Sequence, residues 1–258
     1  MGQIRLDVVE GCGVITLDNP EALNAWSQEM QRQVAEGARK FDADPDVNAI
    51  VITGEGDRAF CAGQDLKEVA GFTVDSVPGW LDGFADLYDA LLSTSKPIVA
   101  ALNGVAAGSG YQLALVCDVR VAHAGVKIGQ PEVKSGIPSI TGMYLTWQSL
   151  GHSKTTELML SGRLMQAEEA RDLGLIAEVC PQGEVVSRSM SIARELAAQP
   201  KQAFEMTKRH VHTMLKPGLD AAFAAALEID KQAYGDGEPQ STADQFLSRS
   251  NDAAKAGQ

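Results

Sequence analysis

The sequence predicts an α/β fold, and three observations carry that expectation. Short, nearly unbroken apolar runs at residues 49–53, 98–102 and 119–122 read as strands covered on both faces. Between them, apolar residues recur every three or four positions, the period of a helix with one buried face. Strand and helix signals also alternate along the chain rather than gathering into separate blocks. With 258 residues, 45% of them apolar, a core can form without disulfide or metal staples.

The elements follow in order. Residues 4–9 alternate apolar and polar, residues 11–13 (Gly-Cys-Gly) turn, and residues 14–17 return, a hairpin that Asp18-Asn19-Pro20 stops. Ser27 is placed to cap a helix whose apolar positions are Met30, Val34, Ala38 and Phe41. After the strand at 49–53, Gly54-Glu55-Gly56-Asp57 forms a turn. Trp80, Phe84, Leu87, Tyr88 and Leu91 give a second amphipathic helix, and Pro97 opens the strand at 98–102. Past residue 142 helical signals dominate, broken by a short strand signal at 176–179. Helices are expected at 166–173, 185–198, 201–215 and 219–234, divided by Gly174, Pro200 and Pro217-Gly218, with a polar linker at 236–241.

Composition excludes several classes. The formal charge is −12, from 34 acidic and 22 basic residues, and no basic stripe marks a nucleic-acid surface. There is no run of eighteen apolar residues and no secretory leader pattern, so no membrane association and a cytoplasmic location are expected. Cys12, Cys61, Cys117 and Cys180 lack metal-binding spacing, and His210 and His212 point to different helix faces, so no metal site is expected.

Two glycine loops stand out. Residues 60–66 (FCAGQDL) and 103–110 (NGVAAGSG) each follow a strand signal, and neither is a nucleotide-binding fingerprint. The second runs into an apolar helix whose first N–H groups are free to meet an anion. If the first loop aims another N–H at the same point, the pair makes an oxyanion hole; otherwise both are plain turns. Glu132, set among Ile128, Val133 and Ile137, is a carboxyl that burial would tune toward neutral pH, or else a surface glutamate.

These residues resemble a known family. FCAGQDLKE at 60–68, KPIVAALNGVAAGSGYQLALVCDVRVA at 96–122, GQPEVKSGIP at 129–138 and the opening LDNPEALNA at 17–25 are similar to the signature regions of the crotonase superfamily, the enoyl-CoA hydratase/isomerase family. The similarity covers the chain to about residue 235. It implies a spiral core of ββα turns over residues 1–195, and a helical region at 196–258 that makes a homotrimer or a dimer of trimers. It also implies an acyl-CoA substrate and no separate cofactor, coenzyme A being part of the substrate.

The resemblance further implies that the N–H groups of Gln64 and Ser109 hold the thioester oxygen. Coenzyme A would lie against Arg58, Ala62, Gln64, Asp65, Leu66 and Lys67, with Phe246 and Arg249 reaching a neighbour's coenzyme A. Family hydratases carry two glutamates. Glu132 matches the second, while the first falls on Gln112, which cannot accept a proton at neutral pH.

Ile140 stands where dienoyl-CoA isomerases and the family's dehalogenases carry aspartate. The inventory therefore favours double-bond isomerisation, with hydration of a 2-enoyl-CoA as the alternative. An acid among Glu68, Asp75 and Asp82 remains open as a second carboxylate. Two readings of other classes also stay open: a serine hydrolase built on Ser109, and a non-catalytic acyl-CoA-binding module.

Overall fold

The computed structural model describes residues 2–256, except for the side chains of Leu247 and of residues 249–256. Strands β1 (Gln3–Val9) and β2 (Cys12–Asp18) form the hairpin. Val9 pairs with Cys12, so Glu10 and Gly11 make the turn, both at positive φ (50° and 76°). The expected turn at 11–13 is displaced because Cys12 and Gly13 also pair with Ala49 and Ile50 of β3 (Ala49–Gly54), which draws them into strand. Between β2 and β3 runs helix α1 (Gln28–Ala43), where Ser27 accepts a hydrogen bond from the Met30 amide at 3.2 Å and caps it as expected.

The chain continues through β4 (Ala59–Cys61), α2 (Leu66–Ala70), α3 (Val77–Leu92), β5 (Ile98–Leu102), β6 (Val105–Ala107), α4 (Ser109–Val116), β7 (Val119–Ala122) and β8 (Lys127–Gly129). β3, β5 and β7 lie side by side in a six-stranded sheet that ends on β10 (Glu178–Val179), in the order β1-β2-β3-β5-β7-β10, while β4, β6 and β8 lie in a four-stranded sheet closed by β9 (Leu164–Gln166). All the pairings within these two triplets are parallel. β3, β5 and β7 of the large sheet are each followed by a strand of the small one, so over this stretch the chain advances one place along both sheets per turn. This is a spiral of ββα turns.

Alternation within the strands explains the continuous apolar runs. Ile50, Ile52, Ala100 and Leu102 face the main core with Trp26, Phe41 and Tyr88. Ala49, Val51, Val99 and Ala101 face a second layer made with Val185, Met190 and Ala193 of a later helix. Both sheet faces are dry, as parallel strands require.

The remaining elements are α5 (Thr141–Ser161), β9 (Leu164–Gln166), α6 (Ala167–Asp172), β10 (Glu178–Val179), α7 (Val185–Ala197), α8 (Lys201–Asp236) and α9 (Glu238–Ala256). α5 is broken at Gly151, whose φ is 67°. Two expectations are corrected here. Pro217-Gly218 does not divide two helices, since α8 is continuous with Pro217 inside it. The helix is held through that weak point by Tyr144, whose hydroxyl donates to the Leu215 carbonyl at 2.9 Å and whose ring occupies the space a side chain at Gly218 would need. The polar linker at 236–241 is likewise reduced to Gly237, a left-handed cap between α8 and α9.

Nearer its start, α8 is anchored by Lys208, whose buried ammonium donates to Asp118 at 2.6 Å and to the Lys96 carbonyl at 2.7 Å. Among the described residues, no helix is long and apolar enough to cross a membrane.

Candidate active site

The site is built where the two glycine loops meet. β4 and β6 are parallel neighbours, so the segments leaving them run side by side. A side chain at Gly63, where φ is +104°, would lie 3.0 Å from the Ala107 carbonyl and 3.5 Å from the Ser109 nitrogen. Only glycine allows this approach. Gln64 is fixed by a parallel bridge to Trp26 that uses the Gly63 carbonyl and the Asp65 amide, which leaves its own N–H on the opposite side. Ser109 is the first residue of α4, where main-chain N–H groups have no partner within the helix. Two amides thus stand within a few ångströms of one another at the head of a dipole, a place that stabilises an oxygen gathering negative charge.

Glu132 reaches the same point from the other side. It follows Pro131 and opens a 3-10 turn ended by Gly136. A side chain at Gly108 would lie 2.9 Å from Glu132 Oε1, so the carboxylate closes on the α4 entrance. Oε1 accepts from Gln130 Nε2 at 2.7 Å, whereas the buried Oε2 has no partner among the described residues. Burial pushes the carboxyl up to about 8, opposed by the Glu132 main-chain N–H and the Gln112 amide. Val133 is not part of that apolar setting, being 46% exposed; burial comes from the loops and from Ile137.

Gln112 is oriented by two hydroxyls. Tyr88 donates to its Oε1 at 2.7 Å and Thr141 at 2.9 Å, which turns the NH2 group away from them. The Ser109 hydroxyl accepts from the indole of the buried Trp26 at 2.8 Å and is paired with no histidine. Among the described residues it has no base to activate it, and the hydrolase reading has no support there.

A cleft of about 740 Å³, counting its open mouth, is lined by Ala62, Gln64, Leu66, Ser109, Gln112 and Glu132 among others. The structure therefore brings six of the expected residues together. Others stay outside that lining. Asp65 caps α2 by accepting from the Lys67 amide at 2.8 Å, and Lys67 and Arg58 are exposed. Phe246 of α9 lines an adjoining groove that shares Leu66, Val69, Pro131 and Ser135 with the cleft. The side chain of Arg249 lies outside the described residues.

The open question of a second acid resolves differently from the expectation. Asp75 and Asp82 are exposed, and Glu68 accepts from Gln64 Nε2 at 2.7 Å and from the Gln28 amide, bracing the first loop. The second carboxyl lining the cleft is Asp230 of α8, which sequence reasoning passed over. A signal existed: Leu219, Ala222, Ala226, Asp230 and Tyr234 recur at three and four, so an acid sits on the buried stripe of the helix.

Comparison with known proteins gives one consistent result. A family model described as enoyl-CoA hydratase/isomerase matches residues 7–252. A probable enoyl-CoA hydratase of Mycobacterium tuberculosis is 35% identical over 231 residues, covering 86% of this chain and 89% of that protein. A mitochondrial enoyl-CoA hydratase of Pongo abelii is 34% identical over 223 residues, covering 86% and 74%. Among solved structures, an enoyl-CoA hydratase/isomerase from Xanthobacter autotrophicus Py2 superposes with a TM-score of 0.87 at 29% identity, covering 98% of this chain and 96% of that one. The human mitochondrial delta3-delta2-enoyl-CoA isomerase shares the fold at a TM-score of 0.88 and 23% identity, covering 97% and 99%.

Proposed function

Since the chain belongs to the enoyl-CoA hydratase/isomerase family, we propose that it moves a carbon–carbon double bond in an acyl-CoA thioester, with Glu132 as the single proton carrier. In this reading the thioester oxygen accepts from the N–H groups of Gln64 and Ser109. Ionised Glu132 takes a proton from C2 of a 3-enoyl thioester, and the electron pair spreads onto the oxygen as a dienolate. The same proton is returned at C4, leaving the double bond between C2 and C3. Nothing is oxidised and no water is consumed.

The observation that carries the reading is one buried carboxylate at the glycine loops, whose Oε2 has no partner among the described residues, beside an amide at Gln112 rather than a second acid. Two hydroxyls hold the oxygen of that amide, so it orients its neighbours without exchanging protons. The second reading is hydration of a 2-enoyl-CoA, favoured by the hydratase names of the relatives at 34–36% identity. It would use a water held by Gln112 and a proton supplied by Glu132. Presenting a 3-enoyl-CoA and a 2-enoyl-CoA separately and reading products by mass tests the choice. Bond migration without added water supports isomerisation; water addition with no bond migration refutes it.

Coenzyme A itself we assign to the mouth of the cleft, along Ala62, Asp65 and Leu66, with the phosphates toward Lys67 and Arg58. Phe246, and Arg249 beyond it, are assigned to the same ligand. The 196–258 region is assigned to self-association as a trimer or pair of trimers, in keeping with the exposed Met206, Val211 and Met214 on α8.

A further inference from the structure

Asp230 has no place in the proton transfers above, yet it lines the same cleft. The acid is 3% exposed, and its Oδ1 has no hydrogen-bond partner among the described residues. One turn further along α8 the hydroxyl of Tyr234, also 3% exposed, is likewise without a partner. Asp230 shares the cleft with the apolar Trp80, Leu81 and Phe84 from α3 and Ala226 from α8. Trp80 stacks edge-on against both Phe84 and Tyr234, at centroid distances of 5.6 and 5.9 Å. Burial alone pushes the Asp230 carboxyl up, to about 7, and no cation offsets it. Asp230 enters the cleft from α8, whereas Glu132 enters it from the 3-10 turn after Pro131.

A cavity meant for a plain hydrocarbon chain would be better lined here by leucine, because an unpaired buried acid is costly. Resting on the acyl-CoA reading, we infer that Asp230 receives a hydroxyl group carried by the acyl part of the substrate, so that the natural thioester is hydroxylated. A hydroxyl both donates and accepts, so it satisfies this carboxyl in either protonation state.

The test is binding, which needs no turnover. Saturated acyl-CoA thioesters are titrated beside counterparts hydroxylated at each chain position in turn, against the parent protein, Asp230→Leu and Asp230→Asn. The parent should bind one hydroxylated member at least about tenfold more tightly than its hydrocarbon counterpart, roughly one hydrogen bond. Asp230→Leu should abolish that preference and Asp230→Asn should keep part of it. The asparagine variant preserves shape and controls for folding.

The inference is overturned if no hydroxylated member is preferred, or if the preference survives in Asp230→Leu. It is equally overturned if Asp230→Leu leaves binding intact and depresses turnover of every enoyl-CoA alike, which marks a proton carrier. If the parent binds no thioester at all, the acyl-CoA reading itself fails, and this inference with it.

Discussion

At the scale of single residues, the proposed mechanism rests on Glu132, whose burial carries a measurable cost. Its carboxyl is shifted from an ordinary 4.5 to about 8 by burial, so the folded protein favours the protonated form. Below pH 4.5 that preference costs nothing, because the unfolded chain is protonated too. As pH rises through 8 the cost becomes complete, on the order of a few kcal/mol. Glu132→Gln should therefore melt higher than the parent at pH 9 and nearly equal to it at pH 4, read by calorimetry. The same variant should lose about 10²–10⁴ in kcat. In the parent, kcat/KM for proton removal should climb with pH and level off above about 8, since only the ionised form is a base.

Gln112→Glu supplies the second carboxylate, already within reach of the Tyr88 and Thr141 hydroxyls. It should shift the product ratio toward water addition by about tenfold or more, judged by the mass of products from a 2-enoyl-CoA. Part of this scale was legible in the sequence: the two glycine loops and Glu132 stood out by spacing, while plain turns and a surface glutamate stayed open until the resemblance in the signature segments was added. Asp230 did not stand out, because an acid in a helix reads as solvated surface until its neighbours at 226 and 234 are seen to be buried.

At the scale of elements, the site depends on how strands end. Asn103 closes β5 and ties it to the end of β3: its Nδ2 donates to the Gly54 and Gly56 carbonyls at 2.8 and 2.7 Å, and its Oδ1 accepts from the Gly54 amide at 3.0 Å. These bonds set the departure of the chain toward β6 and Ser109. Asn103→Ala leaves that buried main chain unpaired and should cost about 2–4 kcal/mol in urea unfolding. Strands β1, β2, β3, β5 and β7 and helices α1 and α3 were readable because their apolar pattern is local, whereas the three-residue strands β4, β6, β8 and β9 are too short to show one. The continuity of α8 was not, because Pro217 normally ends a helix and only the distant Tyr144 shows why it does not here.

At the scale of the whole molecule, the spiral explains how the chain leaving β4 at Ala62–Gln64 and the chain leaving β6 at Gly108–Ser109 come to share one point. One turn of the spiral separates them in sequence, and neighbouring strands β4 and β6 join them in space. The resemblance in the signature segments implied this architecture; periodicity alone gave alternating strands and helices without saying that two sheets divide them. Self-association belongs to this scale as well. Sedimentation equilibrium should give the mass of three chains or six, and a single-chain mass would remove the assignment of residues 196–258.

The claim beneath all of this is that two main-chain amides stabilise an enolate while Glu132 moves the proton. The direct measurement is hydrogen exchange at C2 of a saturated acyl-CoA thioester in deuterated water, followed by mass and NMR. The account predicts that the parent protein catalyses deuterium entry at C2 and that Glu132→Gln does not. Exchange unaffected by that substitution, or no exchange by a parent that binds the thioester, would contradict it.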